Sequence, residues 1–491
     1  MKMISETIGS KLFIGGEWVE PKSTATIEVI SPLTEKPIAS VARASREDVD
    51  RAVSAARQAF DTGPWPRFAL EERIAAILRL RAEIEKRTEA FAEVITGEMG
   101  SPISYSRIGQ ARTPLSMLQE QCEIAARFPW TEWRSSPTGS ACVVRSAKGV
   151  VVSIVPWNMP LVAIVQKIGP ALLSGCTVIV KPAPETPLSA MLLAECIREA
   201  QLPPGIFNLV PADREESEYL ALHPDVDKVS FTGSTVAGRK LASACGERLR
   251  PITLELGGKS AAIFLDDADI AASVEALRVG SLRNSGQVCS LKTRILVSKK
   301  RESQVIEALA GLIDSMPIGD PFDANTQIGP MVSKRQMERV SNYIEQGLKE
   351  GRAIRGGLGR PAELNHGWFV RPTLLASVHP NAVIAQEEVF GPVLALSTFE
   401  TEDEAIAIAN NSAFGLSGAV FSSNLEKAIA VAGRVKTGVV EINGRGIGHH
   451  SPFGGVKDSG LGREGGPEGF DPYVDIKSIG LPKEYVETRL L

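Results

Sequence analysis

The stretch VVVSIVPWNMPLVAIVQKIGPALLSGCTVIVKP, residues 150–182, decides the fold class. It opens and closes on short β-branched runs, 150–155 and 177–180, each the length of one strand. Runs of the same kind recur at 261–264 and 294–297. Between such runs the period is helical. Val49, Ala52, Val53, Ala56 and Phe60 recur at helical spacing, and Ile74, Ile77, Leu78, Ile84, Phe91 and Ile95 mark one long charged helix. Ser333-x-x-Gln336 has the form of a capping box, with Gly351 as the stop for the helix that follows. Strands apolar at every position are buried on both faces, the mark of parallel sheets covered by helices. The class is α/β.

The middle of the same stretch excludes a membrane span. The region 160–180 is the longest apolar one in the chain, and Lys167 and Pro170 interrupt it, so it is too short and too broken to cross a bilayer. The N-terminal MKMISETIGSKLFIGGEW lacks the apolar run of a signal peptide. Fifty-four Lys and Arg against 58 Asp and Glu leave a net charge of −4, so no basic field draws nucleic acid or an anionic membrane, and neither is expected as a partner. At 491 residues and 43% hydrophobic, the core is large enough to need no disulfide or metal staple, and the length suits about two to four domains. Cys122, Cys142, Cys176, Cys196, Cys245 and Cys289 form no CxxC pair and read as reduced thiols of a cytoplasmic protein. His223, His366, His379, His449 and His450 show no ligand spacing, so no metal site is expected. Two strand-like stretches, 140–146 and 473–481, stand apart from any βαβ unit. Each is either an added sheet-edge strand, another subunit's sheet included, or a surface hairpin. The Gly-rich stretches 356–359 and 444–469 read as loops.

Four places carry residues suited to chemistry. No GxGxxG follows a strand, but Phe231-Thr232-Gly233-Ser234-Thr235-Val236-Ala237-Gly238 passes from a strand through a Gly-Ser turn into a helical pattern. Such a helix start offers free N–H groups and a positive dipole end to an anion; the other reading is a plain tight turn. Lys181 ends the run Val178-Ile179-Val180, at the strand edge where ligands of α/β sheets collect. It is either a ribose or phosphate donor or simply the first solvated residue. Cys289 lies in a loop between a helix and a strand, and a lone thiol there is either structural or a nucleophile that needs a base. Glu255, among the apolar neighbours Leu254 and Leu256, is the better candidate base, since burial raises a carboxyl pKa. Alone it reads equally as a paired structural carboxylate.

Together these residues resemble the NAD(P)-dependent aldehyde dehydrogenase superfamily, in its hydrolytic branch. The matching motifs are PWNMP (156–160), VKPAPETP (180–187), FTGSTVAG (231–238), LELGGKS (254–260), NSGQVCS (284–290), EEVFGPV (387–393) and PFGGVKDSGLGRE (452–464). They stand in the family's order, and the resemblance runs from about residue 14 to 480. It implies a Rossmann-type cofactor domain (1–124 and 148–257), an α/β catalytic domain (258–470) and a small β-flap for oligomerisation (125–147 and 471–491), in a homodimer or homotetramer. It places the nucleophile on Cys289, the general base on Glu255 and the oxyanion-stabilising amide on Asn158. Lys181 falls on the adenine-ribose lysine, and Gly233, Ser234 and Gly238 on the pyrophosphate turn. Glu388 falls on the glutamate of the nicotinamide ribose, with Phe390 lining that pocket and Trp157 beside the pyrophosphate. The substrate implied is a small-molecule aldehyde, oxidised to the acid through a thioester, with NAD as the cofactor.

Two departures qualify the resemblance. Many NAD-preferring relatives carry a glutamate three residues after the lysine; here Pro184 stands there and Glu185 follows, which opens the site to NADP. Eight residues after Asn158, where succinate-semialdehyde enzymes carry an arginine, stands Gln166. Met159, Ala163 and Val288 make tunnel walls that suit a bulky, mostly apolar aldehyde. Arg283 would meet a carboxylate if it pointed inward, and His449 and His450 are candidates for the tunnel mouth. The competing readings are a CoA-acylating dehydrogenase, which usually lacks the Glu255 base, a cofactor-free esterase working through Cys289, and a non-catalytic nucleotide-binding protein on the same fold.

Overall fold

A computed structural model of the chain describes residues 6–490. The first five residues of the N-terminal stretch and the last of 471–491 lie outside the described residues. The runs at 150–155 and 177–180 form strands Val150–Ile154 and Thr177–Lys181, buried at every position. They sit at the centre of an eight-stranded sheet. Its five inner strands are parallel, in the order Phe207–Leu209, Thr177–Lys181, Val150–Ile154, Lys228–Thr232, Ile252–Glu255. Glu17–Val19 and Leu12–Ile14 extend one edge and Gly460–Leu461 the other, all antiparallel.

In chain order the inner strands run outward from Val150–Ile154 to one side and then, from Lys228–Thr232, to the other. The direction of winding therefore reverses between those two strands, which opens the crevice where such sheets bind ligands. Helix Pro160–Leu173 covers one face and is buried on nearly all sides, which explains its unbroken apolar sequence.

The runs at 261–264 and 294–297 belong to a second sheet of seven strands. Its order is Arg352–Arg355, Thr373–Ala376, Val393–Phe399, Lys292–Ser298, Ser260–Phe264, Gly418–Phe421, Glu441–Ile442, parallel except for the first strand. Four residues, 256–259, link the end of Ile252–Glu255 to the start of Ser260–Phe264. So short a link sets the C-terminal edge of the first sheet against the N-terminal edge of the second. The stretches 140–146 and 473–481 are partners: Gly139–Ala147 pairs antiparallel with Val474–Leu481 from Ala147↔Val474 to Ser140↔Leu481. Thr131–Ser136 closes a three-stranded sheet.

Two expectations need correction. The charged helix through residues 74–95 is two helices, Leu70–Glu85 and Thr88–Met99, broken where Arg87 leaves helical geometry at φ −116° and ψ 15°. The apolar face continues across the break, so the period alone does not register it. The segment 444–469 is not all loop: Val456–Lys457 and Gly460–Leu461 are short strands, the second joining the first sheet. The capping box geometry at Ser333 is half present. Its side chain accepts from the Gln336 N–H, starting helix Lys334–Glu350, and Gly351 follows that helix.

Candidate active site

The crevice gathers the ends of several elements. Asn158 follows Val150–Ile154, Lys181 ends Thr177–Lys181, Gly233 and Ser234 follow Lys228–Thr232, and Glu255 ends its strand. From the opposite side come Cys289, three residues before Lys292–Ser298, and Glu388 and Phe390, just before Val393–Phe399.

The loop carrying Cys289 is held in an unusual shape. Asn284, Ser285 and Gly286 are consecutive left-handed residues at φ 55°, 57° and 77°. Such conformations cost about 1–3 kcal/mol for each non-glycine residue and persist only where the surroundings hold them. Here the Ser285 hydroxyl donates to the Gly329 carbonyl at 3.0 Å, and its oxygen accepts the Gly329 N–H at 2.9 Å. Asn284 Nδ2 donates to the Asn158 carbonyl at 3.0 Å, and Gln287 Nε2 to the Asn284 carbonyl at 3.2 Å. Asn158 is tied into the same knot: its Nδ2 donates to the Gln287 carbonyl at 2.9 Å, and Gln110 Nε2 donates to the Asn158 backbone carbonyl at 3.1 Å. A primary amide carries two N–H bonds, so Asn158 keeps one for a ligand.

Glu255 is buried, and neither of its carboxylate oxygens has a hydrogen-bond partner. Burial raises its pKa well above the usual carboxylate range, the Glu464 carboxylate adds to this, and Lys167 and Arg463 oppose it. The Cys289 thiol is pushed up to about 12, by burial first and then by Glu388 and Glu255, against Arg283 and its own backbone N–H. The resting nucleophile candidate is therefore a protonated thiol beside two carboxylates.

The residues expected on the cofactor side line the first sheet's part of the crevice and the loop of Glu388. Ser234 caps helix Thr235–Gly246, its oxygen accepting the Ala237 N–H at 3.3 Å, and the helix start opens into the crevice. The Gly233 N–H is spent on the Glu255 carbonyl at 3.0 Å, which locks the turn to the neighbouring strand. Gly238 serves packing: a Cβ there would press into the Leu256 side chain. Lys181 is buried, and burial lowers its pKa to about 8 against the pull of Glu185 and Asp213. Glu185 itself pairs with Arg335 at 3.2 Å. Glu388 accepts the Gly258 N–H at 2.9 Å, in space that Gly257 leaves by lacking a side chain. Phe390, left-handed at φ 61°, meets the Trp157 ring edge-on at a centroid distance of 5.3 Å.

Of the remaining candidates, Arg283 points inward: Nη2 lies 3.4 Å from the Ser290 hydroxyl, the half-buried Tyr105 hydroxyl feels its charge, and Nε has no partner. Val288 and Ala163 are buried and Gln166 is partly so. His450 lies 3.5 Å from Glu123 and 3.7 Å from Glu120, a surface pairing. Sequence reasoning missed Lys167, Glu464, Gln110, Asn284, Gln287 and Tyr105. One signal was available, because a lone lysine in an apolar helix needs a buried partner. Among the described residues, no cluster of His, Cys, Asp and Glu could hold a metal ion, and no helix is long and apolar enough to cross a membrane.

Comparison with known proteins agrees with this geometry. The model of the aldehyde dehydrogenase family matches residues 18–479. A geranial dehydrogenase of Castellaniella defragrans is 44% identical over 96% of this chain and 98% of its own. A 3-succinoylsemialdehyde-pyridine dehydrogenase of Pseudomonas is 41% identical over the same shares. Among solved structures, a Mycobacterium tuberculosis aldehyde dehydrogenase complexed with NAD+ superposes with a TM-score of 0.95 at 42% identity, covering 97% of this chain and 99% of that one. Aldehyde dehydrogenase C of Pseudomonas syringae, complexed with NAD+ and octanal, superposes with a TM-score of 0.92 at 38% identity, covering 97% of each chain. The chain belongs to the aldehyde dehydrogenase family and is an oxidoreductase.

Proposed function

We propose that the protein oxidises an aldehyde to the carboxylic acid, with NAD as hydride acceptor, through a covalent adduct on Cys289. The observation that carries this reading is the meeting of a thiol, a buried carboxylate with both oxygens unpartnered and an amide with a spare N–H at one crevice. Cys289 Sγ bonds to the aldehyde carbon, and the protonated thiol gives up its proton to Glu255 in that step. Charge develops on the aldehyde oxygen, where the Asn158 N–H and the Cys289 backbone N–H stabilise it. When bound, NAD accepts the hydride that leaves the adduct carbon. Once Glu255 has released the thiol proton to solvent, it takes a proton from water as the water oxygen bonds to the thioester carbon, and the carbon–sulfur bond breaks to free the acid, the departing sulfur taking that proton back from Glu255. A carboxylate with a raised pKa suits both proton steps.

On the cofactor side, Lys181 would hold the adenine ribose and the Gly233–Ser234 turn with Gly238 the pyrophosphate. Glu388 would hold the nicotinamide ribose, with Phe390 and Trp157 as the aromatic walls. Pro184 leaves NADP as a second possible acceptor. A mostly apolar or bulky aldehyde suits the Val288 and Ala163 walls. The inward Arg283 and Tyr105 favour one that also carries a hydrogen-bond acceptor away from the aldehyde, as a ketoaldehyde does. We place the protein in a reducing, cytoplasmic compartment, supported by its six unpaired cysteines. We expect a homodimer or homotetramer divided as cofactor domain, catalytic domain and flap. The exposed apolar residues Ile476 and Ile479 on the edge strand Val474–Leu481 support that assembly.

The test is reduced-nicotinamide absorbance over octanal, geranial, a pyridyl ketoaldehyde and succinate semialdehyde, each with NAD and with NADP. Turnover without CoA is the expected result. Activity only with added CoA would replace the hydrolytic reading with the acylating one.

A further inference from the structure

A short helix, Ile103–Tyr105, runs into a π-helical turn, Ser106–Arg112. Widened turns of this kind are rare and occur most often at functional sites. This one sends Gln110 to the Asn158 backbone carbonyl, and Tyr105 stands at its entrance. Gly109 seats the tyrosine: a Cβ there would fall on the Tyr105 ring. Burial raises the Tyr105 pKa, the Arg283 charge opposes that rise and the Cys289 thiol adds to it. The phenol therefore keeps its proton and remains a hydrogen-bond donor close to both.

Arg283 faces this phenol with its charge unanswered. Nη2 donates to Ser290 Oγ at 3.4 Å, Nε is closed off without a partner, and among the described residues no carboxylate pairs with the guanidinium. The acids of the crevice are engaged elsewhere. Lys292, which feels the Arg283 charge, holds Glu441 at 2.6 Å. The charges acting on Glu255 are Glu464, Lys167 and Arg463, and those acting on Glu388 are Arg339 and Lys259. Arg283 does act on the Cys289 thiol, so the cation lies near the reacting sulfur. Ser290 accepts from Arg283 and keeps its own O–H to donate. A guanidinium, a phenol and a hydroxyl thus meet beside the nucleophile with no acid among them. A half-buried cation without a counter-charge is costly, and an anionic ligand offsets that cost. A ketone oxygen would engage some of these donors and leave the charge; a carboxylate can engage all three and cancel it. We propose that Arg283, Tyr105 and Ser290 form a carboxylate subsite in the crevice, so that the preferred substrate is an oxo acid with an apolar chain between its aldehyde and its carboxylate. This deepens the reading above and rests on Cys289 being the nucleophile.

The test compares straight-chain ω-oxo acids, from succinate semialdehyde upward, with the n-alkanals of equal length, using the full chain and NAD and reading kcat/KM. The parent protein should favour at least one oxo acid over its matched alkanal by about 10- to 100-fold, the worth of hydrogen bonds to a charged group. Arg283→Met should abolish that preference, chiefly by raising KM for the oxo acid, because the subsite binds a part of the substrate that does not react. Arg283→Lys, which keeps the charge without the planar fork, should retain part of it. Tyr105→Phe should weaken it by about three- to tenfold. A parent protein that turned over the alkanals as well as every oxo acid would overturn the subsite, with no variant needed, and would leave the dehydrogenase reading standing. An Arg283→Met protein that lost both classes of substrate equally would also overturn it, since that is the mark of a structural role. Preference for a neutral ketoaldehyde alone would overturn the carboxylate. Turnover of neither class would refute the reading beneath the subsite and the subsite with it.

Discussion

Asn158 shows how much of this site depends on single atoms. Gln110 and Asn284 fix its backbone carbonyl, and its side-chain amide donates to the Gln287 carbonyl, so the residue is anchored at the backbone and the amide cannot turn away without breaking its bond to the thiol loop. An oxyanion donor held this firmly loses nothing to reorganisation, and Asn158→Ala should lower kcat by about 100- to 1000-fold with little change in NAD binding. Steady-state rates and a binding titration check both halves. Glu255 gives the pH dependence its sign. Its pKa is raised by burial and by Glu464, and the ionised form is the base, so turnover should rise with pH along a limb well above the ordinary carboxylate range. A flat profile through neutral and mildly acidic pH would remove it as the rate-determining base. At this scale the sequence was legible for residues inside motifs. Their pairings were less so: Glu464 closes a motif and Lys167 lies outside any, and the two meet only because residues 297 positions apart fold together.

At the scale of elements, the left-handed turn at 284–286 joins the two halves of the site. Gly286, at φ 77°, lies so close to Gly391 and Pro392 that a Cβ would fall on their backbone, and those residues continue the loop of Glu388 and Phe390. Gly286→Ala should therefore cost at least about 1–3 kcal/mol in stability and shift the thiol away from the cofactor side, lowering kcat and melting temperature together. Thermal unfolding alongside kinetics would show it; an unchanged pair of values would mean the turn is not tight. The sequence marked both loops through their motifs but not their contact. Nor did it mark the break at Arg87, since an apolar face that stays buried on both sides of a break keeps the same period.

Two sheets with parallel inner strands, set edge to edge, give the molecule its crevice, and four connecting residues, 256–259, keep the edges close. The strand runs announced both sheets because strands buried on both faces leave no polar positions to hide them. The third sheet was harder to read, because strands 139–147 and 474–481 are joined only by long-range pairing. Its outer edge exposes Ile476 and Ile479, 63% and 43% accessible, an apolar edge that a partner chain would cover. If the oligomer proposed above is built on this strand, Ile476→Lys combined with Ile479→Lys should convert it to the 52.6 kDa monomer in light scattering. Retention of the parent mass would place the oligomer contact elsewhere.

The most direct test of the account is the time course of reduced nicotinamide formed by Glu255→Gln on mixing with NAD and aldehyde. If Cys289 forms the adduct and Glu255 activates the water that frees it, the variant should produce a burst of about one equivalent per site, slowed by loss of the proton acceptor, and then stall with the acyl group on the thiol. Steady turnover at the parent rate would contradict the central claim.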